Sequence, residues 1–373
     1  MSLPKNKHMK ILFLSHMTDP TAGGWGRYTH DLMSALRELG HEVKSVQEVL
    51  GNEEGLHDPL SYLSTPFVFL LDAGKIKRAI GAFKPDVVHI TVEPYALLVP
   101  YMPEDMHVVL TVHGSYAYLP AVSSWFWAPI CKRLYTSALK RIRTIIAVSE
   151  YTKAYLLKNI EAKIDVVHNG IATNDAVFAE NPTPKEKKII LTVAPLKRRK
   201  GIVESLRAVA RYKKEYRTSV EYRIVGSHDT QSAYSKSVAD EIRLLGLSDT
   251  VVLTGRVSEE TLRQEYAQAD LFLMLPLVKE PYFEGFGLVY LEANAAGVPA
   301  IGSSEGGSRE AIEEGVSGYV VDPNDPAETS ARIHDILDTG SIDRARARAW
   351  AENHDIKIVA EKLLEIYRGV MSS

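Results

Sequence analysis

The chain has 373 residues and a mass of 41.5 kDa, with 45% hydrophobic and 24% charged residues. That is material for two globular cores, and it excludes a disordered or fibrous chain. Lys and Arg number 44 against 47 Asp and Glu, a formal net charge of −3, so the basic excess of a nucleic-acid binder is missing.

The one cysteine, Cys131, excludes an intramolecular disulfide and a zinc site built on several thiolates. No run approaches the ~18 apolar residues of a spanning helix. The start, 1–10, is polar and basic without a signal core, and Met9 reads as the natural first residue. A cytoplasmic location is expected.

Short β-rich runs alternate with helical stretches. In chain order the runs are 10–15, 42–46, 86–90, 107–112, 144–148 and 164–168, with helices over 28–39 and 149–160. Several runs are unbroken Val/Ile/Leu, as in parallel strands buried on both faces. Asn181-Pro182-Thr183-Pro184-Lys185 then reads as a linker. After it the pattern restarts, with runs at 188–193, 221–225, 250–254, 270–274, 299–301 and 319–321, and helices over 203–216, 259–268 and 288–296. The expected fold is α/β: two Rossmann-like doubly wound domains, 9–183 and 184–350, facing a cleft. Ligands in such sheets sit beyond the carboxyl ends of strands.

The most informative stretch is Pro281-Tyr282-Phe283-Glu284-Gly285-Phe286-Gly287-Leu288-Val289-Tyr290-Leu291-Glu292, which leads into Ala295-Ala296-Gly297-Val298-Pro299. Gly285 and Gly287 let backbone approach a ligand. The helix starting at Leu288 offers unpaired N–H groups and a positive dipole end, suited to a diphosphate. Glu292 lies five residues past Gly287, roughly 7.5 Å along the axis. That offset suits a carboxylate on a ribose diol, while Glu284 can meet a sugar across the diphosphate. The competing reading is an ordinary helix with acidic residues near its positive end.

Four further features follow strands. Thr21-Ala22-Gly23-Gly24 opens the first long helix, where amides can approach a phosphate or acceptor, though not with nicotinamide or Walker spacing. His113, in Thr111-Val112-His113-Gly114, is either a cleft residue or a loop histidine bonded to backbone. Lys197-Arg198-Arg199-Lys200 is either a clamp for a leaving diphosphate or a solvated charge run. Gly255-Arg256-Val257 closes the run at 250–254.

The Glu-x7-Glu stretch, with Gly306-Gly307-Ser308-Arg309-Glu310 and Glu314–Val321, resembles retaining GT-B glycosyltransferases, specifically glycosyltransferase family four. The resemblance covers nearly the whole chain and is strongest over 251–323. It implies that Glu284 binds the donor sugar and Glu292 the ribose, and that the amides of Phe286, Gly287 and Leu288 meet the sugar and diphosphate. It implies a cleft role for Gly23 and Gly24, sugar orientation by His113, and a nucleobase contact at Arg256 and Val257. His113 and Glu284 are the expected catalytic residues. The family's Gly-Arg-Leu stands here as Ala194-Pro195-Leu196, so Arg199 or Arg198 has to replace the missing arginine beside Lys200.

The resemblance implies a nucleotide-sugar donor, UDP-glucose as the first choice, and a carbohydrate or lipid-linked acceptor. No cofactor is expected. No Asp-x-Asp occurs in the sequence, so metal independence is expected. The segment 125–143 mixes aromatics with cations and reads either as a peripheral membrane contact at an anionic surface or as an inward-packed helix. A C-terminal helix over 351–373 is expected to pack back on the first domain. The competing functions are a sugar-nucleotide epimerase, for which no acid–base set is identifiable, and a non-catalytic nucleotide-binding paralogue.

Overall fold

The computed structural model describes residues 8–19, 23–47, 69–114, 128–158, 160–173, 186–280 and 282–372, and their side chains except at 25, 69–71 and 128–132. The expected linker at 181–185 lies outside these residues. The chain divides into two compact units, Met1–Ala172 with Ile356–Ser373, and Thr173–Asp355. The first boundary thus falls before the breaker-rich stretch and the second after 350. Two hydrogen bonds mark the crossings, one to backbone and one to a side chain. Ile356 N–H donates to Ile171 O at 2.8 Å, and Thr173 N–H donates to Asp355 Oδ2 at 3.2 Å, so outgoing and returning strands of chain are pinned at the same level.

The first unit holds a parallel sheet of β1 (Lys10–Ser15), β2 (Glu42–Gln47), β3 (Val87–Ile90), β4 (His107–Val112), β5 (Thr144–Ala147) and β6 (Ile164–Val166), in the order β2-β1-β3-β4-β5-β6. Its helices are α1 (Gly24–Glu38), α2 (Phe69–Phe83), α3 (Ala128–Leu139), α4 (Glu150–Leu157) and the C-terminal helix Ile356–Ser372. Leu12, Leu14, Val88, Ile90, Leu110 and Val112 form one buried face with Ile76, Ile80 and Tyr135. α1 buries Tyr28, Leu32, Met33, Ala35 and Leu36, the i, i+4 stripe of an amphipathic helix, and packs on the C-terminal helix. One polar side chain breaks the apolar run of β3. His89 is fully buried, with Nδ1 2.5 Å from Tyr367 Oη and Nε2 2.7 Å from Thr111 Oγ1. Those bonds satisfy both ring nitrogens and tie the C-terminal helix to the sheet.

The second unit repeats the plan. Its strands are β7 (Lys188–Val193), β8 (Val220–Val225), β9 (Val251–Gly255), β10 (Leu271–Leu273), β11 (Ala300–Ser303) and β12 (Gly318–Val321), ordered β12-β11-β10-β7-β8-β9 and again parallel. The helices are α5 (Ile202–Tyr216), α6 (Ala233–Leu244), α7 (Glu259–Gln268), α8 (Leu288–Ala295), α9 (Pro326–Leu337) and α10 (Arg344–Glu352). The expected C-terminal helix over 351–373 is present and belongs to the first unit, but residues 351 and 352 are the end of α10. α10 belongs to the second unit, and the C-terminal helix starts only at Ile356, after Asp355 has turned its carboxylate to Thr173.

Helix starts fall into two kinds. α4, α6, α7, α9 and α10 are capped by Ser149, Ser232, Ser258, Asp325 and Asp343, whose side chains accept backbone N–H groups. α1, α5 and α8 instead begin at Gly23, Gly201 and Gly287, with φ of 112°, 65° and 90° and no side-chain cap.

Candidate functional site

The loops after β7 and β10 meet around one carboxylate. After β7 the backbone turns through the 3-10 segment Arg198–Lys200 into α5. At Gly201 it passes so close to the end of β10 that a Cβ would lie 1.6 Å from Leu275 O. Only glycine fits there. Leu277 N–H donates to Arg199 O at 2.9 Å, which fastens the two loops together.

The cation run is not uniform. Lys197 and Arg198 are exposed, Arg199 is half-buried and Lys200 is buried. Arg199 Nη1 donates to Glu284 Oε2 at 2.9 Å, and Lys200 Nζ donates to the same oxygen at 2.6 Å. Burial works to raise the Glu284 carboxyl, but the charges of Lys200 and Arg199 outweigh it and hold it below the usual carboxylate range. Burial also brings Lys200 below the ordinary lysine range, against the pull of Glu284. The Glu284 backbone is fixed as well, since its carbonyl accepts Gly307 N–H at 2.8 Å. At Gly306, with φ 73°, a Cβ would come within 3.0 Å of that same carbonyl.

Three residues further, Gly287 caps α8. A Cβ there would sit 2.7 Å from the Tyr290 ring, whose hydroxyl donates to Met274 O at 2.7 Å. Gly285 is buried, the Phe286 ring packs inward with its centroid 6.3 Å from His354, and Leu288 is half-buried. Glu292, one and a half turns into α8, accepts the Tyr266 hydroxyl from α7 at 2.7 Å. Gly255 at the end of β9 accepts Gly226 N–H at 2.9 Å, with Arg256 exposed and Val257 half-buried beyond it. One unit thus brings Arg199, Lys200, Glu284, Gly285, Gly287 and Glu292 to the carboxyl ends of its strands. The arrangement offers fixed positive charge, an uncapped helix start and two carboxylates.

Gly23, Gly24 and His113 belong to the first unit and are not part of that cluster. Among the described residues nothing lies within 4 Å of a Cβ added at Gly23, at the start of α1. Thr21 and Ala22 lie outside the described residues. His113 follows β4. Its N–H donates to Glu93 Oε1 at 2.7 Å, and its ring meets Tyr28 edge-on at 4.8 Å. Burial lowers the imidazole to about 4, so it is neutral at pH 7 and able both to donate and to accept.

Three neighbours were not singled out by sequence: Glu93, Tyr266 and Glu305. Glu305 accepts Val278 N–H at 2.5 Å and fixes the loop that precedes Glu284. Tyr266 reads as an ordinary core residue of a helix. Glu93 and Glu305 each follow a buried strand closely, next to a Pro or a Gly pair, and that was the available signal.

Of the segment 125–143, residues 125–127 and the side chains through 132 lie outside the described residues. Beyond them α3 buries Tyr135 and exposes Arg133 and Leu134, and Lys140, Arg141 and Arg143 are exposed after it. Among the described residues no helix is long and apolar enough to cross a membrane, and no group of three or more His, Cys, Asp or Glu gathers as for a metal ion.

Comparison with known proteins covers both units. Residues 22–175 match the family model described as Glycosyltransferase Family 4, and residues 173–354 match the one described as Glycosyl transferases group 1. The chain is built of these two glycosyltransferase domains. Glycogen synthase of Mycobacterium tuberculosis is 25% identical over 96% of this chain and 94% of its own length. A GDP-mannose-dependent alpha-(1-6)-phosphatidylinositol monomannoside mannosyltransferase of Mycolicibacterium smegmatis is 26% identical over 80% of each chain. Among solved structures, sucrose-phosphate synthase from Thermosynechococcus elongatus superposes with a TM-score of 0.78 at 21% identity, covering 98% of this chain and 100% of that one. These glycosyltransferase domains share the GT-B fold of that neighbour, two parallel α/β units. The match boundary near 173–175 agrees with the division at Ala172/Thr173.

Proposed function

We propose that this glycosyltransferase-type chain moves a hexose from a nucleotide-diphosphate sugar to an acceptor hydroxyl with retention of anomeric configuration, in polysaccharide or glycolipid synthesis. The observation that carries the reading is Glu284, held by Arg199 and Lys200 beside the uncapped start of α8. In this reading the α8 amides and the two cations take the diphosphate, Glu284 the sugar hydroxyls and Glu292 the ribose. His113 orients the sugar, and the acceptor binds the first unit. Arg199 takes the place of the arginine missing at Pro195.

In the transfer the bond from the anomeric carbon to the diphosphate oxygen breaks as the acceptor oxygen bonds to that carbon. The acceptor's proton passes to the leaving phosphate oxygen. No protein nucleophile enters. The chain contributes positioning and a fixed positive field for charge that grows on the diphosphate.

UDP-glucose and GDP-mannose are the first donors to test. A ligand that binds the folded state raises the melting point by an amount set by its concentration over Kd. A melting screen of UDP-, GDP- and ADP-sugars is expected to give one clear riser. Glu292→Ala is expected to abolish its shift and Tyr266→Phe to reduce it. A shift unchanged in Glu292→Ala refutes the ribose assignment. Transfer is expected to persist in EDTA, and NMR of the product is expected to show the donor's anomeric configuration. Peripheral membrane contact through 125–143 is tested by flotation with anionic vesicles.

A further inference from the structure

Glu93 has no task in the transfer as derived so far, yet it is among the most thoroughly buried carboxylates of the first unit, 1% exposed. It opens the 3-10 segment Glu93–Tyr101 directly after β3, with Tyr95, Ala96, Leu97 and Leu98 buried behind it. Burying a carboxylate there is expensive unless it is hydrogen-bonded. An apolar residue of similar size would suit the packing better.

The carboxylate is instead spent on backbone. Oε1 accepts the His113 N–H at 2.7 Å, and the nearby amides of Gly114 and of Glu93 itself favour the charged form. Oε2 is buried, with no hydrogen-bond partner among the described residues. The Oε1 bond runs to the turn that carries His113. The Tyr28 ring meets the imidazole edge-on at 4.8 Å.

We propose that Glu93 is a positioning residue for transfer: by gripping the His113–Gly114 backbone from the end of β3, it sets the direction in which the His113 imidazole points. The inference rests on the reading of His113 as the group that orients the donor sugar. A side chain whose backbone is gripped and whose ring packs edge-on against another loses rotational freedom. Misplacing such a group by about 1 Å can cost on the order of 100-fold in rate.

The test compares Glu93→Gln, whose amide oxygen can still accept the His113 N–H, with Glu93→Ala, which cannot. The substrates are UDP-glucose and GDP-mannose, read by release of the nucleoside diphosphate. Glu93→Ala is expected to lower kcat by about tenfold or more with little change in KM, and Glu93→Gln to recover most of it. Glu93→Ala/His113→Ala is expected to be no slower than His113→Ala alone, because the two residues act as one unit.

Ring NMR of His113 supplies a readout that does not need turnover. Its contact to Tyr28 is expected to be kept in Glu93→Gln and lost in Glu93→Ala. Wild-type turnover and an unmoved His113 ring in Glu93→Ala would overturn the proposal, as would full additivity in the double variant. If His113→Ala keeps full activity, the reading of His113 fails instead, and the NMR comparison still decides whether Glu93 sets the ring. If Glu93→Ala does not fold, Glu93→Leu, which fills the space without an acceptor, takes its place: an unmoved ring overturns the proposal and a displaced ring supports it.

Discussion

Lys200 and Glu284 hold the site together at the scale of single side chains, and the cost of separating them is set by their burial. Their side chains are 11% and 15% exposed, so neither charge can be rescued by water if its partner is removed. Breaking a buried pair from one side typically costs about 3–5 kcal/mol, whereas exposed pairs are worth about 0–1. Arg199, 34% exposed, is a partial substitute. Lys200→Ala is therefore expected to lower stability in urea by about 2–4 kcal/mol and to abolish the sugar-nucleotide melting shift. Exposed Arg198→Ala is expected to change neither. The pH dependence has a fixed sign. Glu284 sits below its ordinary carboxylate value, so the pair's contribution is complete above that value and is lost as pH falls through the depressed one. In Glu284→Gln this acid limb should vanish from the urea profile. Equal acid sensitivity in the variant and the wild type would refute the assignment. None of this pairing was legible in the sequence. Lys200 and Glu284 lie 84 positions apart, and a run of four cations looks like a solvated face until burial separates Lys200 from Lys197.

Secondary-structure elements were more readable, because a buried parallel strand needs an unbroken apolar run and these strands have one. Strands 10–15, 107–112 and 188–193 appear at the expected residues. Helices such as α6 and α9 were not singled out, since their apolar stripes are interleaved with Ser, Asp and Arg. Helix starts carry the functional information. Where Ser or Asp caps a helix, its first N–H groups are taken. Where glycine does, as at α1, α5 and α8, they are left for other partners. The three glycines are not equivalent, and alanine substitution should separate them. At Gly23 only the backbone, at φ 112° and ψ −177°, is strained, for about 1–3 kcal/mol. At Gly287 an added Cβ also strikes the Tyr290 ring, which is free to shift only by giving up its bond to Met274 O. At Gly201 it strikes Leu275 backbone at 1.6 Å, and nothing there can yield. Melting temperatures are expected to fall in the order Gly23→Ala, Gly287→Ala, Gly201→Ala, the last the most severe. Donor binding should be lost in the second and third. A tolerated Gly201→Ala would mean that the 3-10 segment does not pack on β10 as described.

At the scale of the whole chain, the two units differ in how they meet acid, and that difference yields a prediction with a definite sign. The first unit buries His89 and half-buries His113, and loss of solvent lowers them to about 3 and about 4 from an ordinary value of 6.5. The unfolded chain therefore binds protons that the folded unit refuses. The stability this represents is complete above pH 6.5 and is lost as pH falls toward the folded values. Between pH 6.5 and 4.5 the two histidines together cost about 5 kcal/mol, at about 1.4 kcal/mol per pH step for each. Glu93 works the other way. Burial raises it to about 7, so the folded unit gains a proton that the unfolded chain does not yet bind, which returns about 3 kcal/mol over the same range. The first unit should thus lose about 2 kcal/mol on the way to pH 4.5. In the second unit the depressed Glu284 takes effect only below that point. Hydrogen exchange, corrected for intrinsic rates, is expected to show β3 and β4 losing protection between pH 7 and pH 5 while β7 and β8 keep theirs. Glu93→Gln removes the offsetting carboxyl and should steepen the loss in the first unit alone. His89→Phe removes one of the two opposing histidines and should flatten it, provided the unit tolerates the loss of the bonds to Tyr367 and Thr111. If both units lose protection in parallel, or if Glu93→Gln leaves the slope unchanged, these buried groups do not govern the acid response.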